Sequence, residues 1–286
     1  MYNQTNYHSH CTFCDGKNTP AEFVEAAIAQ GFYSYGISSH APVSFDTNWC
    51  MQAADLPVYM QELQALKEKY ANQIALAIGL EIDFLHEHHH PAIPFFADLP
   101  LDYRIGSVHM LADMQGELTD LDVAPATFKT VVKEHFANDL VEVIKAYFRQ
   151  KQKMIELGGL DIVGHIDKIS MNALYCEPDI TSQHWYKRAV EDALETALSH
   201  QVMVEINTKA FTHRGLFFPN EQHFHVIREM GLSVLVNSDS HAIDKMTSGR
   251  RDALKRLYEA GIYTVMERES GTWQAREIHI TNTNDI

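Results

Sequence analysis

Seven short β-rich runs alternate with segments of helical periodicity from the first residues of the chain to about residue 265. An alternation of this kind is typical of repeated βα units that build a parallel sheet. At 286 residues the chain has a length at which an α/β barrel often forms one domain. We therefore predict one large α/β barrel. The runs extend from Asn3 to His8, Tyr33 to Ser38, Ile74 to Phe84, Tyr103 to His109, Leu160 to His165, Val202 to Asn207 and Ser233 to Ser238.

Several segments between the runs have the spacing of amphipathic helices. Apolar residues recur every three or four positions from Leu140 to Ile155, and Gly158 follows as a stop signal. A second helix is predicted to begin near the capping candidate Thr181. Pro20 and Pro219 stand where the first turn of a helix tolerates proline. These signals place helices between successive strands, as a parallel barrel requires.

The chain carries no sign of a boundary between domains. It has no Ser/Gly-rich linker, low-complexity tract or internal repeat, so we predict that residues 1–286 form a single domain. A weaker pair of possible strands, Ile262 to Val265 and Glu277 to Ile280, lies on either side of Gly271. The pattern alone gives this pair no role.

The charge of the chain bears on its partners and its location. With 23 basic and 38 acidic residues, the formal net charge of −15 repels nucleic acid and anionic membranes but allows a small anion held by local cations. Even the apolar segment from Ile74 to Leu85 is cut by Glu81 and Asp83, so no membrane span is predicted. Four unevenly placed cysteines and the lack of an N-terminal signal segment predict a cytoplasmic protein with reduced thiols. The oligomeric state does not follow from the sequence.

Six of the seven runs end in, or are followed at once by, residues that bind metals. In a parallel barrel all strand C-termini point to one mouth, so residues spread over more than 230 positions would converge there. A single histidine at a strand end is more often an ordinary hydrogen-bonded residue, but six such positions at the same end of the repeat predict a metal site. They are His8 with His10, His40, Glu81, His109, His165, and Asp239 with His241.

Two of these positions have a spacing that suits chelation. His8 and His10 are separated by one residue, and because side chains alternate along an extended segment, both imidazoles lie on the same side. Asp239 and His241 repeat the arrangement with a carboxylate and an imidazole. Each pair can therefore bind one ion.

The order of these motifs resembles a known family. The chain carries Tyr7-His8-Ser9-His10 with Asp15-Gly16, Ser39-His40, Gly79-Leu80-Glu81, Gly106-Ser107-Val108-His109, Gly164-His165-Ile166-Asp167, Glu205-Ile206-Asn207 and Ser238-Asp239-Ser240-His241. Together they look like the polymerase and histidinol phosphatase (PHP) family, and they most resemble its stand-alone histidinol-phosphate phosphatase branch. The motifs run in order along nearly the whole chain and are highly specific as a set.

The resemblance implies an α/β fold, a distorted TIM-like (β/α)7 barrel with the active site at the C-terminal ends of the strands. It also implies three divalent metal ions, and zinc, iron and manganese suit histidine and carboxylate ligands alike. By the resemblance, the first ion is held by His8, His10, Glu81 and Asp239. Glu81 would bridge to a second ion held by His109 and His165, and the third would be held by Asp15, His40 and His241.

The implied reaction is hydrolysis of L-histidinol phosphate to L-histidinol and phosphate, a step of histidine biosynthesis. Adjacent metals neutralise the charge of a phosphate monoester and lower the pKa of a bound water, so no covalent enzyme intermediate is needed. The leaving oxygen needs a proton or a cation. We expect Asp239, His241, His40 or the third metal to supply it.

Substrate contacts are expected from loops at the barrel mouth, because those loops surround the metal site. The candidates for phosphate oxygens are Arg214, Lys209, Lys168 and Arg104. The candidates for the substrate ammonium group are Glu117, Asp46 and Asp167, and Trp49 or Phe217 would stack on the imidazole ring. For each basic residue alone, a solvated surface role is an equal alternative.

Two other functions remain open at this stage. One is a phosphoesterase that acts on another small phosphate, such as a nucleotide or a sugar phosphate. The other is a non-catalytic PHP module that supports a polymerase or regulates a partner. This acidic chain has neither the extra length nor the basic groove that such a module would need, and its ligand set is intact.

Other reactive residues have a more ordinary interpretation. Cys11 and Cys14 form a CxxC pair without a second such pair, which favours a loop or core role over redox or zinc chemistry. The histidines from His86 to His90 are expected in an exposed polar loop, with accessory metal capture as the alternative. Asp83 shares the strand face of Glu81, and it is expected to support the metal ligands rather than to bind a metal itself. His135, His184, His200, His223, His225 and His279 are expected at the surface.

Overall fold

The computed structural model describes residues 3–280 and shows a nearly closed barrel of seven parallel strands. In chain order the strands are β1 (Thr5–Asn6), β2 (Ser34–Ile37), β3 (Ala75–Asp83), β4 (Tyr103–Ser107), β5 (Met110–Ala112), β6 (Leu118–Asp120), β7 (Ile162–Val163), β8 (Met203–Asn207), β9 (Val234–Asn237), β10 (Thr264–Glu269) and β11 (Thr272–Glu277). The barrel has the order β1-β2-β3-β4-β7-β8-β9. Each of the seven predicted runs contains one of these strands, and the predicted (β/α)7 barrel is confirmed.

The barrel closes between β1 and β9 without a regular ladder. Beyond the ends of the two strands, the amide of His10 donates to the carbonyl of Ser240 at 2.9 Å. Closer to the strands themselves, the amide of Tyr7 donates to the side-chain Oδ1 of Asn237 at 2.8 Å. A side chain therefore replaces part of the backbone ladder, and the barrel is distorted at this seam.

Helices cover the outside of the barrel. They are α1 (Pro20–Ala29), α2 (Leu56–Lys69), α3 (Pro94–Ala97), α4 (Pro125–His135), α5 (Leu140–Leu157), α6 (Ser170–Cys176), α7 (His184–Ser199), α8 (Phe211–Arg214), α9 (Phe224–Met230) and α10 (Arg250–Glu259). Short 3-10 turns occur at Ile180–Ser182, Glu221–His223 and Ile243–Lys245. The two longest helices, α5 and α7, each bury one face, as their three- and four-residue spacing requires.

The structure confirms some helix signals and corrects others. Pro20 begins α1 and Gly158 follows the last residue of α5, as predicted. The helix expected near Thr181 begins later, as α7, because Thr181 lies in a separate 3-10 turn. The prediction for Pro219 is wrong, since this residue precedes a 3-10 turn and lies outside any helix.

The C-terminal strands β10 and β11 form an antiparallel hairpin. Both strands lie nearer to Gly271 than the segments predicted for them. Asn3, just before β1, donates to Glu267 at 2.7 Å, which fixes the hairpin to the N-terminal end of the barrel. Trp273 packs edge-on against Tyr7 and Tyr103, with ring centroids 4.9 and 6.0 Å away. The hairpin thus covers the end of the barrel opposite to the mouth.

No helix within residues 3–280 is long and apolar enough to cross a membrane. The four cysteines are free. His223 was expected at the surface and is buried, which is a correction, and its burial lowers its pKa to about 4.

The Tyr103 side chain fills the barrel interior, and two glycines make room for it. Its hydroxyl donates to the carbonyl of Tyr7 at 2.6 Å. A Cβ built on Gly79 would meet the ring carbon Cζ of Tyr103 at 2.4 Å, and one built on Gly36 would meet the hydroxyl oxygen at 2.3 Å. Side-chain atoms do not approach so closely, so a larger residue at either position would displace the tyrosine.

We expect Gly36→Ala and Gly79→Ala each to lower the free energy of unfolding by about 1–3 kcal/mol, because each overpacks the interior against Tyr103. Equilibrium unfolding in urea measures both. Repeating both substitutions in a Tyr103→Phe background distinguishes the two clashes. In that background Gly36→Ala should lower the free energy of unfolding by less, since its nearest clash is with the hydroxyl. Gly79→Ala meets ring carbons and should cost the same. Equal costs of Gly36→Ala in the two backgrounds would contradict this packing.

Candidate metal centre

Glu81 lies at the centre of a cluster at the barrel mouth. It belongs to β3 and is 1% exposed. Its Oε2 lies 3.2 Å from Nε2 of His8 and 3.0 Å from Nδ1 of His40. Its Oε1 lies 2.8 Å from Nε2 of His165 and 3.7 Å from Nε2 of His109. One carboxylate therefore approaches imidazoles that follow four different strands.

Among residues 3–280, ligand-type side chains at the mouth form four overlapping groups, in each of which the ligand atoms lie within 4.8 Å of one another. The groups are His10, Asp15, His40 and His241; His8, Glu81 and His165; His8, His10 and Asp239; and His40, Asp83 and His109. The structure thus brings together all the residues that the sequence analysis assigns to metals. Asp83 is added to them.

Several ligand atoms in these groups are buried without a hydrogen-bond partner among the described residues. They are Nε2 of His8, His10 and His109, Nδ1 of His40 and Oε2 of Glu81. A buried polar atom without a partner is costly, and divalent cations would satisfy these lone pairs together. Imidazoles and carboxylates suit zinc, iron or manganese. The residues present therefore fit a cluster of divalent ions.

The carboxylates of the cluster are held in their ionised form. Burial works to raise the pKa of Glu81 and Asp239, but nearby histidines, and Lys209 for Asp239, hold both pKa values well below the ordinary range. Burial likewise works to lower the pKa of His8, yet the carboxylates, with Glu205 foremost, raise it above its usual value. The mouth therefore offers negative charge that a cation can neutralise.

Two of the histidines are held by carboxylates on the side that faces away from the cluster. Nδ1 of His8 lies 2.6 Å from Oε1 of Glu205, and Nδ1 of His109 lies 2.9 Å from Oδ1 of Asp83. A carboxylate in this position fixes the tautomer and the ring orientation of a metal-binding histidine. Asp83 therefore contacts His109, a placement that suits the supporting role expected of it.

Glu205 is a residue to which the sequence analysis gives no role. It is fully buried in β8 and accepts hydrogen bonds from Asn207 Nδ2 at 3.0 Å, Asn237 Nδ2 at 2.9 Å and the amide of His165 at 2.8 Å. Together with its contact to His8, these bonds connect residues that lie in or just after β1, β7, β8 and β9. The sequence signal was available, because Glu205 and Asn207 alternate as inward polar residues in an otherwise apolar strand.

Cys14 lies behind His10 in a similar way. Its Sγ is 3.6 Å from Nδ1 of His10. The thiol of Cys11 is buried 3.2 Å from Oγ of Ser39, and burial raises the pKa of Cys11 to about 11. Neither cysteine belongs to a metal-ligand group of the described residues. The two cysteines therefore pack around the candidate metal centre.

Two of the candidate ligands have backbone conformations that are rare for residues with a side chain. The φ angle is 23° at His165 and 47° at Asp239. Such conformations cost on the order of 1–3 kcal/mol each and persist where the surroundings fix them. Both residues follow the end of a barrel strand, so the unusual turn directs their side chains into the mouth.

Two lysines among the predicted phosphate contacts lie beside the cluster. Nζ of Lys209 is 3.3 Å from Oδ1 of Asp239, and Nζ of Lys168 is 2.5 Å from Oδ2 of Asp122. Arg214 is exposed at the end of α8, in the loop that follows β8. These three residues stay candidates for phosphate binding.

Of the aromatic candidates, one lies at the cluster and the other does not, and two of the acidic candidates are exposed. Trp49 lies at the cluster, with its ring centroid 4.8 Å from that of His40. Phe217 does not, because it is buried in a stack with Phe211 at 4.4 Å. Glu117 is exposed at the turn of the β5–β6 hairpin, and Asp46 is exposed between β2 and α2. Neither carboxylate belongs to a ligand group of the described residues.

Two further predicted contacts are contradicted. Arg104 lies near the start of β4, away from the mouth, and its guanidinium donates to backbone carbonyls including those of Phe96 and Leu99. Asp167 is fully buried, and its burial raises its pKa to about 7. Its carboxylate accepts a hydrogen bond from the amide of Asn220 at 3.2 Å. Neither residue is placed to meet a substrate at the mouth.

In the histidine-rich loop after β3, the histidine side chains contact the same loop or the adjacent helix α3. The amide of His88 donates to Nδ1 of His86 at 3.2 Å, and the amide of Ala92 donates to Nδ1 of His90 at 3.3 Å. His89 is buried with its ring edge-on to Phe96. Within the part of the chain that is described, these histidines belong to no metal-ligand group.

We expect Glu205→Gln to weaken zinc binding by roughly 10–100-fold, because the amide cannot hold His8 and its neighbours as the carboxylate does. Titration of metal-depleted protein with zinc against a chelating dye measures this. Glu267→Gln is the matched control, since Glu267 is also a buried glutamate with two side-chain donors but lies at the opposite end of the barrel. Equal zinc affinities in the two variants would refute the role of Glu205.

Residues 6–209 of the chain match the model of the PHP domain family. Among curated proteins, the chain is similar to the probable histidinol-phosphatase of Deinococcus radiodurans, with 25% identity over 271 residues that cover 91% of this chain and 95% of that protein. It is also similar to the histidinol-phosphatase of Bacillus subtilis, with 27% identity over 253 residues that cover 82% of this chain and 92% of that protein.

The fold is similar to that of a solved structure, the histidinol phosphate phosphatase of Lactococcus lactis in complex with zinc, L-histidinol and phosphate. The TM-score is 0.71 at 19% identity, with 95% of this chain and 99% of that chain covered. The family match spans well over half of this chain and includes the barrel from the last residue of β1 to the end of β8. The chain belongs to the PHP domain family.

Proposed function

We propose that this chain is a metal-dependent phosphomonoesterase that hydrolyses L-histidinol phosphate to L-histidinol and phosphate. The observation that carries the reaction class is the Glu81 cluster, in which buried ligand atoms without partners meet at a barrel mouth. The substrate follows from relatives named histidinol-phosphatase, which align over most of their length and most of this chain. A cytoplasmic location is part of the proposal, because a charged biosynthetic intermediate is used where it is made.

The proposal assigns three divalent ions, of zinc, iron or manganese, to the mouth. Residues His8, His10, Glu81 and Asp239 would hold the first, Glu81, His109 and His165 the second, and Asp15, His40 and His241 the third. When bound, such ions neutralise the charge of a phosphate ester and lower the pKa of a water molecule. The third set is supported most directly, because Asp15, His40 and His241 fall in one group of the structure.

The proton for the leaving oxygen is proposed to come from His241 or His40 when the third site is empty, because an imidazole nitrogen that binds a cation cannot donate a proton. Asp239 is a poorer source, because its carboxylate is held in the ionised form. The side chain of His241 is 18% exposed, against 8% for His40 and 2% for Asp239. A residue that exchanges protons with solvent has to reach it, which favours His241. Its Nε2 lies 3.3 Å from Oδ2 of Asp15, and this carboxylate can hold the imidazole in position.

Phosphate oxygens that are not on a metal are proposed to meet Lys168, Lys209 and Arg214. Lys168 is held in place by Asp122, and burial works to lower its pKa while Asp122 and other carboxylates raise it above the ordinary value. The ammonium group is therefore charged at neutral pH. Trp49, beside His40, is proposed to pack against the imidazole ring of the substrate.

We expect steady-state phosphate release from L-histidinol phosphate to exceed release from a panel of nucleotide and sugar phosphates, using protein of measured metal content. The same preparation should lose activity after chelation and regain it when zinc, iron or manganese is added. Preference for another phosphate would move the protein to another branch of the family. Full activity after verified metal removal, or no phosphatase activity in metal-loaded protein, would refute the proposal.

We expect Lys168→Met to lower kcat/KM for histidinol phosphate by roughly 10–100-fold, chiefly through KM, because a charge-assisted contact of about 1.5–3 kcal/mol with the phosphate is lost. Lys67→Met is the matched control. Lys67 is also paired with an aspartate, Asp102, at 2.6 Å, but this pair precedes β4 and lies away from the mouth. If both variants gave the same kcat/KM, Lys168 would not contact the phosphate.

A further inference from the structure

Lys151 is a lysine buried in the apolar face of α5. Its side chain is 0% exposed, and the residues that share its buried face include Tyr147, Phe148 and Met154. Burying an amine costs free energy unless a partner compensates for it, and an aliphatic residue would suit the face better. Nζ of Lys151 donates to the backbone carbonyl of Gly164 at 2.7 Å. The lysine therefore serves a specific contact.

The carbonyl of Gly164 lies at the point where β7 ends and the turn to His165 begins. The amide of Gly164 still donates to the carbonyl of Gly106 in the barrel, at 3.0 Å. A Cβ at position 164 would meet Oγ of Ser107 at 2.6 Å, so glycine is required there. The next residue, His165, has the positive φ angle of 23°. The Gly164 carbonyl therefore leaves the barrel ladder and needs a donor from outside it.

Tyr147 supplies a second contact to the same turn. It lies one helical turn before Lys151 on α5, and its hydroxyl donates to the carbonyl of His165 at 3.3 Å. The Nζ of Lys151 lies 5.6 Å from the centroid of the Tyr147 ring. One face of α5 thus binds two consecutive carbonyls, those of Gly164 and His165, from behind the metal centre.

We propose that Lys151 is a positioning residue for the metal ligand His165, and that Tyr147 assists it. The two side chains hold the turn of residues 164 and 165 so that Nε2 of His165 reaches Glu81, from which it lies 2.8 Å. Without them the turn would relax towards ordinary φ values, and the imidazole would leave the mouth. The inference rests on the proposed metal site and adds to it the residues that set one ligand.

The proposed contact does not depend on the charge of Lys151. Burial lowers the pKa of its side chain to about 7, against the opposing influence of Glu81, Asp83 and Glu205. Both the ammonium and the neutral amine carry N–H groups, so either form can donate to the Gly164 carbonyl. The role is therefore one of geometry, and it should persist across the pH range in which the protein is folded.

The test compares Lys151→Met with Lys153→Met in cobalt titrations of metal-depleted protein. Methionine keeps an unbranched stem at position 151 and removes the donor. Lys153 lies on the exposed side of the same helix, so its substitution controls for the loss of a lysine from α5. The visible absorption of cobalt(II) reports its ligands. We expect Lys151→Met to weaken one cobalt site by roughly 10–100-fold and to change its spectrum, with Lys153→Met like the unaltered protein.

Tyr147→Phe keeps the inference testable if Lys151→Met fails to fold, which circular dichroism and thermal melting would show. It removes only a hydroxyl and is expected to weaken the same cobalt site by a smaller factor. Unaltered cobalt affinity and spectrum in folded Lys151→Met, or in Tyr147→Phe where the lysine variant does not fold, would overturn the inference. Failure to cleave histidinol phosphate would leave it standing, because cobalt binding is measured without substrate. Absence of cobalt binding in the unaltered protein would overturn the metal site as well.

Discussion

Glu81 is the residue on which the arrangement of the mouth depends. Its carboxylate approaches imidazoles that follow four different strands, which is possible only where the strands stop around a common axis. Removing this carboxylate from water is costly. Its attraction to the surrounding imidazoles offsets that cost and keeps the carboxylate ionised. A divalent ion would do the same with more charge at shorter range. The burial of Glu81 and the affinity for metal are therefore two consequences of one interaction.

The residues around Glu81 are positioned from behind by other elements of the fold. His8 contacts Glu205 of β8, and His109 contacts Asp83 of β3. Ligands that are fixed in this way lose little freedom when an ion binds, so more of the interaction energy appears as affinity. This explains why polar side chains are retained in interior positions where an apolar residue would pack more favourably.

The sequence predicts the candidate ligands better than the residues that support them. His8 and His165 follow strands, and barrel geometry brings such positions together, so a local pattern was enough. Glu205 lies inside an apolar strand and Lys151 inside an apolar helix face, and their partners His165 and Gly164 are 40 and 13 residues away. The alternation of Glu205 with Asn207 marks both as inward polar residues, but no local pattern identifies the partners of Glu205 or Lys151. Arg104 was misplaced for a similar reason, because alternation gives the face of a strand residue and not the loop that it contacts.

The packing below the mouth is coupled to the metal centre. Gly79 and Glu81 are two residues apart on β3, so both face the barrel interior. Gly79 accommodates the Tyr103 ring and pairs with Tyr103 in the register of β3 and β4, whereas Glu81 pairs with Ile105. The same ring packs on Trp273 of the C-terminal hairpin. A close-packed interior transmits displacement, so a shift of Tyr103 would move β3 and with it the carboxylate that several ligands share. The hairpin at the N-terminal end of the barrel contributes no ligand-type residue to the cluster as described, yet through Tyr103 it is packed against the strand that carries Glu81.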